Sequence, residues 1–196
     1  MSKRAFDLAA SAAGLVLLAP LLLLIALWIR LDSPGPVFFR QQRVGRHGVL
    51  FSIFKFRTMA HQPDGARQLT VGHDRRITHA GQLLRRYKLD ELAQLLNVAG
   101  GSMSLVGPRP EVPRYVACYP PQVRAVVLSV APGITDWASI LYKQESEILG
   151  RAADPEQAYI DTILPVKLEY YMRYVRERSF WLDLRIIFRT LAAITR

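Results

Sequence analysis

Only one cysteine, Cys118, occurs among 196 residues, which excludes an intramolecular disulfide and fits a reducing compartment; it reads as a small buried apolar side chain without chemistry. Internal repeats and low-complexity tracts are absent, and no Ser/Gly linker divides the chain, so solenoids and strings of domains are excluded. Acidic residues are scarce, 16 against 26 Lys and Arg, giving a net charge of +10 and a pI near 10.2. The partner is therefore expected to be anionic: nucleic acid, lipid headgroups or a phosphorylated small molecule. His47, His61, His73 and His79 match no common zinc spacing and no cysteine joins them, so they read as loop or surface residues. A nucleic-acid binder would need a recognition helix or an aromatic-basic stacking surface, and neither is legible.

Charge is missing altogether from Leu8 to Ile29, a run of 22 residues flanked by Lys3, Arg4 and Asp7 on one side and Arg30 on the other. The run exceeds the apolar core of a signal peptide and no small-residue cleavage site follows it, so it reads as a retained membrane segment. As a helix it would measure about 33 Å, sufficient to span a bilayer. Pro20 near its middle removes a backbone donor and crowds the preceding turn, so a kink or break is expected there. Cations at both ends would force a spanning helix to export one group. A helix that enters, turns at Ala19-Pro20 and leaves by the same face would not. From the residues alone both paths stay open.

After the turn Ser33-Pro34-Gly35-Pro36, VFFRQQRVG and GVLFSIFKFRTM alternate apolar and basic residues around Gly45 and Gly48, predicting a short hairpin. Residues 61 to 75 read as a loop. The spacing of Leu89, Leu92, Leu95 and Leu96 predicts one helix from Leu83 to Val98, stopped by Gly100-Gly101. MSLVG predicts a short buried strand leading into Pro108-Arg109-Pro110-Glu111, where two prolines restrict the backbone. Further helices are expected over 112–130, 154–178 and 180–195. The last sets Phe180, Leu184, Ile187, Phe188 and Leu191 on one side and Arg185, Arg189 and Arg196 on the other, either an interfacial membrane helix marked by Trp181 or an ordinary packed amphipathic helix. Tyr170, Tyr171 and Tyr174 read as packing residues.

Between residues 40 and 86 stand ten Lys or Arg and two acids, Asp64 and Asp74, a phosphate-attracting field that precedes the adjacent carboxylates Asp90 and Glu91. An aspartate at a helix start with Arg85 one turn before it is expected to stay ionised, and with Glu91 it can coordinate a hard cation. Carboxylate, divalent metal and convergent cations are the parts that hold a diphosphate and transfer a phosphoryl group. A carboxylate can also attack phosphorus, dividing one displacement into two. Taken alone, two acids in a first helical turn are more often a dipole-stabilising cap.

Several strings taken together resemble the small bacterial sugar transferases, the monotopic phosphoglycosyl transferases: KRAFDL, DSPGPVFFRQQRVGRHG, FSIFKFRTM, RRITHAGQLLRRYKLDELAQLLNV, GGSMSLVGPRPE and PGIT. The resemblance runs from Lys3 to Leu191. It implies transfer of a sugar-1-phosphate from a nucleotide diphosphate sugar, a UDP-sugar by expectation, to polyprenyl phosphate, with release of a nucleoside monophosphate. It also implies Mg²⁺ and a covalent aspartyl-phosphosugar intermediate. Asp90 resembles the nucleophile and Glu91 its metal-associated partner; Lys55 and Arg85 resemble phosphate-contacting cations, Arg109 a nucleotide or diphosphate contact, and Glu111 a weaker substrate-binding candidate.

The fold implied is α+β and mostly helical. It is a monotopic membrane protein with an N-terminal re-entrant helix over 1–32, broken near Pro20, and a catalytic domain over 33–196 with interfacial amphipathic helices and a small β-hairpin. The site would face the cytoplasm at the bacterial inner membrane, among membrane lipids, with no nucleic-acid partner; a homodimer is left open. Three departures from the family pattern stand out: Ala19-Pro20 where Ser-Pro is usual, LDELAQL for LDELPQL, and DWASILYKQESEIL after PGIT, which leaves the sugar open. Without the additional N-terminal spans of larger relatives, the chain is expected to be a minimal catalytic unit. The alternative from a different class is a basic, membrane-tethered interaction protein without catalysis, which would not need the Asp-Glu pair and the Pro-Arg-Pro segment together.

Overall fold

The computed structural model describes residues 3–60, 74, 76–142 and 145–194. The expected loop over 61–75, with His61 and His73, lies outside them apart from Asp74, as does Arg196. Helices dominate, with two small two-stranded sheets.

The charge-free segment forms one helix, α1 (Lys3–Asp32), about 45 Å long at 1.5 Å per residue and apolar enough to cross a membrane, with a mean hydropathy of 2.7. Helical structure runs through Pro20 without interruption, so the expected break does not appear as a gap between two helices. A proline removes only its own donor, and the remaining bonds can carry the helix past it. Leu17, Leu23, Leu24, Leu27 and Leu31 are exposed, while Asp7, Ser11, Ile25 and Ile29 recur at helical spacing on a buried face.

Both ends of α1 are fastened to the same body. At its start, Asp7 accepts from Ser104 Oγ at 2.8 Å and the Leu105 amide at 3.2 Å. Lys3 donates to Asp183 at 2.5 Å, and Arg4 to the Val98 and Ala99 carbonyls. Near its end, Arg57 donates to the Ile29, Ser33 and Pro34 carbonyls, collecting acceptors the helix terminus leaves open. Asp32 accepts from the Ala80 amide at 3.1 Å.

The hairpin is present as expected, β1 (Phe38–Val44) pairing antiparallel with β2 (Leu50–Phe56) in the register Phe38 opposite Phe56 and Val44 opposite Leu50. Exposed His47, at φ 57°, sits in its turn. The expected helix from Leu83 to Val98 is instead three pieces: α2 (His79–Arg86), a 3-10 turn (Leu89–Gln94) and α3 (Leu95–Ala99). The break is at Lys88, whose backbone is left-handed at φ 55°. Side chains rarely adopt that conformation, and it survives where surrounding packing fixes it. Fully buried Ala80 and Leu84 hold α2 against Ile25, Ile29 and Phe56, and Ala93 joins the same cluster from beyond the break.

The buried strand read from MSLVG is β3 (Ser104–Val106), pairing parallel with β4 (Gly133–Thr135), a partner not legible beforehand. The expected helix over 112–130 divides into α4 (Pro113–Ala117) and α5 (Pro121–Val127), because Tyr119 and Pro120 each precede a proline and are steered away from helical backbone. Cys118 is exposed in this junction, contrary to its reading as buried. The segment after β4 forms α6 (Trp137–Leu141) and α7 (Glu145–Gly150). A continuous helical stretch follows, α8 (Pro155–Ala158), a π turn (Tyr159–Ile163) and α9 (Leu164–Glu177), close to the expected 154–178. Tyr159, Ile163, Leu164, Leu168 and Tyr171 pack with Val112, Tyr115, Val116 and Val127 in the largest core cluster.

The last helix, α10 (Phe180–Ile194), buries Asp183 and Ile186 and leaves Phe180, Trp181, Phe188 and Leu191 exposed. This apolar face, like that of α1, has no covering element among the described residues.

Gly81, in the first turn of α2, lies against the end of the hairpin: a Cβ there would fall 2.0 Å from the Thr58 carbonyl oxygen. Gly81→Ala is expected to destabilise the protein by about 3 kcal/mol through backbone overlap, read as a lower thermal midpoint; an unchanged midpoint would mean that α2 can shift freely.

Candidate active site

Three segments meet at one cleft of about 1620 Å³. The hairpin supplies Lys55, the 3-10 turn Asp90 and Glu91, and the Pro-Arg-Pro segment after β3 supplies Arg109. Arg85 from the end of α2 and Glu111 also line it. Every candidate read from the sequence except Pro20 thus reaches one cavity.

Glu91 is the hub. Arg109 addresses its carboxylate in a two-pronged fashion, Nη1 donating to Oε2 at 3.1 Å and Nη2 to Oε1, while Lys55 Nζ donates to Oε1 at 2.8 Å. Planar guanidinium against carboxylate is the strongest ionic arrangement side chains offer. The backbone of this segment is anchored as well: Pro108 accepts from the Gly133 amide at 2.9 Å, and Pro110 from Arg43 at 3.0 Å. Arg109 is therefore aimed before any ligand arrives. Lys55 and Arg109, expected as phosphate contacts, already engage Glu91, yet each has donors beyond these bonds.

Asp90 stands apart from its neighbour. It is buried, and its Oδ1 has no hydrogen-bond partner. Against the expectation that Arg85 would keep it low, burial pushes its carboxyl above the usual aspartate range, with Lys55, Lys88 and Arg85 opposing and Glu91 reinforcing the shift. Burial also pushes the Glu91 carboxyl upward, but Arg109 and Lys55 outweigh it and hold the group well below the usual glutamate range. The two adjacent carboxylates are thus driven in opposite directions. Glu91 is engaged by two cations, whereas Asp90, which lines the cleft, keeps an oxygen without a partner. A desolvated carboxylate of this kind can act as a nucleophile.

Among the described residues no group of three or more His, Cys, Asp or Glu gathers into a metal cage. Mg²⁺ does not require one, since it commonly binds one or two carboxylates and takes its other ligands from phosphates and water. The partnerless Oδ1 of Asp90 fits such an ion, with Glu91 beside it.

The sequence reading singled out Glu111 but missed the polar side chains that surround it in the cavity lining. Glu111 accepts from Tyr159 Oη at 2.6 Å and faces Arg43 at 3.6 Å. Lys167 lies 3.4 Å from Tyr159 Oη and 3.9 Å from Glu111, and is paired with Glu145. A lysine in the apolar run ILPVKLEYY was the one available signal, because a charge on a packed helix face requires partners.

A profile of the bacterial sugar transferases matches residues 1–196. The chain belongs to the bacterial sugar transferase family. Among relatives, the UDP-N-acetylgalactosamine-undecaprenyl-phosphate N-acetylgalactosaminephosphotransferase of Aeromonas hydrophila is 37% identical across 98% of this chain and 43% of its own length. The UDP-glucose:undecaprenyl-phosphate glucose-1-phosphate transferase of Escherichia coli K12 is 37% identical across 96% and 39%. Its namesake in Caulobacter vibrioides is 38% identical across 99% and 70%. This sugar transferase spans about two fifths of the length of the first two relatives. Within the matched residues, LDELAQL supplies Asp90 and Glu91 to the cleft and GPRPE supplies Arg109 and Glu111.

The opposite shifts of the two carboxylates give opposite stability effects. Asp90, raised above its unfolded value, is destabilising when ionised, so Asp90→Asn is expected to raise the thermal midpoint at neutral pH. Glu91, depressed, contributes stability present above the unfolded glutamate pKa and lost as pH falls through the lower folded value. Glu91→Gln is expected to cost about 1.5 to 3 kcal/mol by removing the charge that two half-buried cations share. Differential scanning fluorimetry in detergent checks both; a destabilised Asp90→Asn would contradict a buried, unpaired Asp90 carboxylate.

Proposed function

We propose that this sugar transferase moves a sugar-1-phosphate from a nucleotide diphosphate sugar, with UDP as the nucleotide, to polyprenyl phosphate at the cytoplasmic face of the bacterial inner membrane, a first membrane step of surface glycan synthesis. The observation that carries the reading is the desolvated, partnerless Asp90 oxygen beside Lys55 and Arg109, both held by Glu91 in one cleft. Family membership and the names of its relatives support the reaction class.

The Asp90 carboxylate attacks the phosphorus that bears the sugar. An O–P bond forms, the bond to the nucleoside phosphate breaks, and its electron pair leaves on the nucleoside monophosphate. Lys55, Arg85 and Arg109 offset the charge that develops on the leaving group. A phosphate oxygen of the polyprenyl acceptor then attacks the same phosphorus, the aspartyl bond breaks, and free Asp90 returns with polyprenyl-diphosphate sugar as product. Mg²⁺, held by Asp90 and Glu91 together with the diphosphate, would supply further charge neutralisation.

The acceptor is a lipid, and two apolar faces suit a membrane surface: the exposed leucines of α1, and Trp181, Phe188 and Leu191 of α10. Asp7 and Lys3 are tied to Ser104 and Asp183, and Asp32 to Ala80. A helix whose two ends join one domain favours entry into and exit from the same membrane face, with Pro20 as the point where the helix, unbroken here, would bend on insertion. Residues 1–32 are then the re-entrant anchor and 33–196 the catalytic domain.

Incubation with donor and no acceptor is expected to add the mass of one phosphosugar to the intact protein, in a hydroxylamine-sensitive form absent from Asp90→Asn. Normal turnover by Asp90→Asn would eliminate the covalent mechanism. For topology, cysteines placed at Ser2 and Ser33 in a background lacking Cys118 are both expected to label only from the cytoplasmic side; labelling of either from outside would sink the re-entrant path.

A further inference from the structure

The mechanism uses part of the cleft lining and leaves the rest unexplained. There Glu111, Tyr159, Lys167, Glu145 and Arg43 form a connected polar chain, and all five line the same cavity as Asp90. Lys167 is 4% exposed and Glu111 7%. The Lys167 ammonium also lies 4.9 Å from the centre of the Tyr159 ring. A buried lysine sandwiched between two carboxylates and a phenol is costly to desolvate and contributes little to stability over apolar packing, so its place at a cavity wall asks for a ligand.

The chemistry of that wall differs from the phosphate end. Lys55, Arg85 and Arg109 suit an anion. Glu111 and Glu145 would repel one, yet they are strong acceptors for O–H donors, and Lys167 between them is a donor of three bonds. Acceptor, donor, acceptor is the pattern that reads neighbouring hydroxyls, each of which gives one hydrogen and takes another. Glu145 and Ser139, which both line the cavity, belong to the segment after Pro132-Gly133-Ile134-Thr135. Asp136 fixes that segment by capping α6, accepting from the Ser139 amide at 3.0 Å and from its hydroxyl at 2.6 Å.

We propose that Glu145 and Lys167, backed by Glu111 and Tyr159, form a hydroxyl-reading subsite for the donor, and that this pair sets which donor the protein accepts. The inference rests on the donor being a nucleotide diphosphate sugar. A vicinal hydroxyl pair is offered by two parts of such a molecule, the transferred sugar and the ribose, and the same contacts would serve either.

The experiment measures kcat/KM, by release of nucleoside monophosphate, for wild type, Glu145→Gln, Lys167→Met and Lys167→Arg with UDP-glucose, UDP-galactose, UDP-N-acetylgalactosamine and 2′-deoxy-UDP-glucose. A site that hydrogen-bonds a substrate hydroxyl discriminates strongly against analogues that misplace it. Loss of one such charged contact is expected to change the ratio between two donors by about tenfold or more, with Lys167→Arg keeping more of the wild-type preference than Lys167→Met. A changed ratio among the three sugars assigns the subsite to the transferred sugar; a changed ratio between ribose and deoxyribose donors assigns it to the nucleoside. Thermal midpoints and single-donor mass adducts of each variant identify any that do not fold. Folded variants in which every donor falls by the same factor, or none changes, would overturn the proposal. Failure of wild type to turn over any donor would instead count against the reaction class itself.

Discussion

Glu91 between Lys55 and Arg109 is the constraint on which the site depends. Two cations brought together in a desolvated cleft would repel each other and would point wherever solvent allowed. A half-buried carboxylate between them cancels part of that charge and fixes both side chains, one from the hairpin and one from the segment after β3. The same contact therefore joins two parts of the fold and orients both cations within the cleft. Asp90 can then remain short of partners, because the residue next to it has absorbed the cations. Were the two carboxylates to share the bonds equally, neither would keep an oxygen without a partner.

That arrangement requires Asp90 and Glu91 to face different neighbours although they are consecutive. A continuous α-helix through this region would have set them about 100° apart along one regular spiral. The left-handed residue Lys88 instead redirects the chain, and in the 3-10 turn that follows consecutive side chains stand about 120° apart, so Asp90 and Glu91 line one cleft with different neighbours. The strain of one non-glycine residue at positive φ lies next to the reactive group, where such strain is most often found.

Much of this was legible in the sequence, and what was not has identifiable causes. The hairpin, the buried strand of MSLVG and the long apolar helix follow from alternation, turn residues and absence of charge, which are local signals. The gathering of Lys55, Arg85, Asp90, Arg109 and Glu111 at one cavity was anticipated because the matching strings supplied it; nothing in their spacing of up to 56 positions along the chain could have. The single helix from Leu83 to Val98 failed because its apolar periodicity survives the break: Leu84 and Ala93 belong to one cluster on either side of Lys88, so the pattern looked unbroken while the backbone was not. Cys118 was misplaced for a related reason, since Pro120-Pro121 opened a surface junction inside an expected helix. Glu145 and Lys167 stand 22 positions apart and pair only through the packing of α7 and α9, which no local rule describes.

The clasp at the start of α1 bears on the order of events in synthesis. Lys3 closes on Asp183, 180 positions later, and Asp7 on Ser104 and Leu105. The first turns of α1 must therefore wait for α10 before they reach their final partners, while the apolar stretch that follows them can meet lipid earlier. Docking of α10 is thus the step that completes the fastening of α1, and α1 alone would lack the contacts that tie both of its ends to one body.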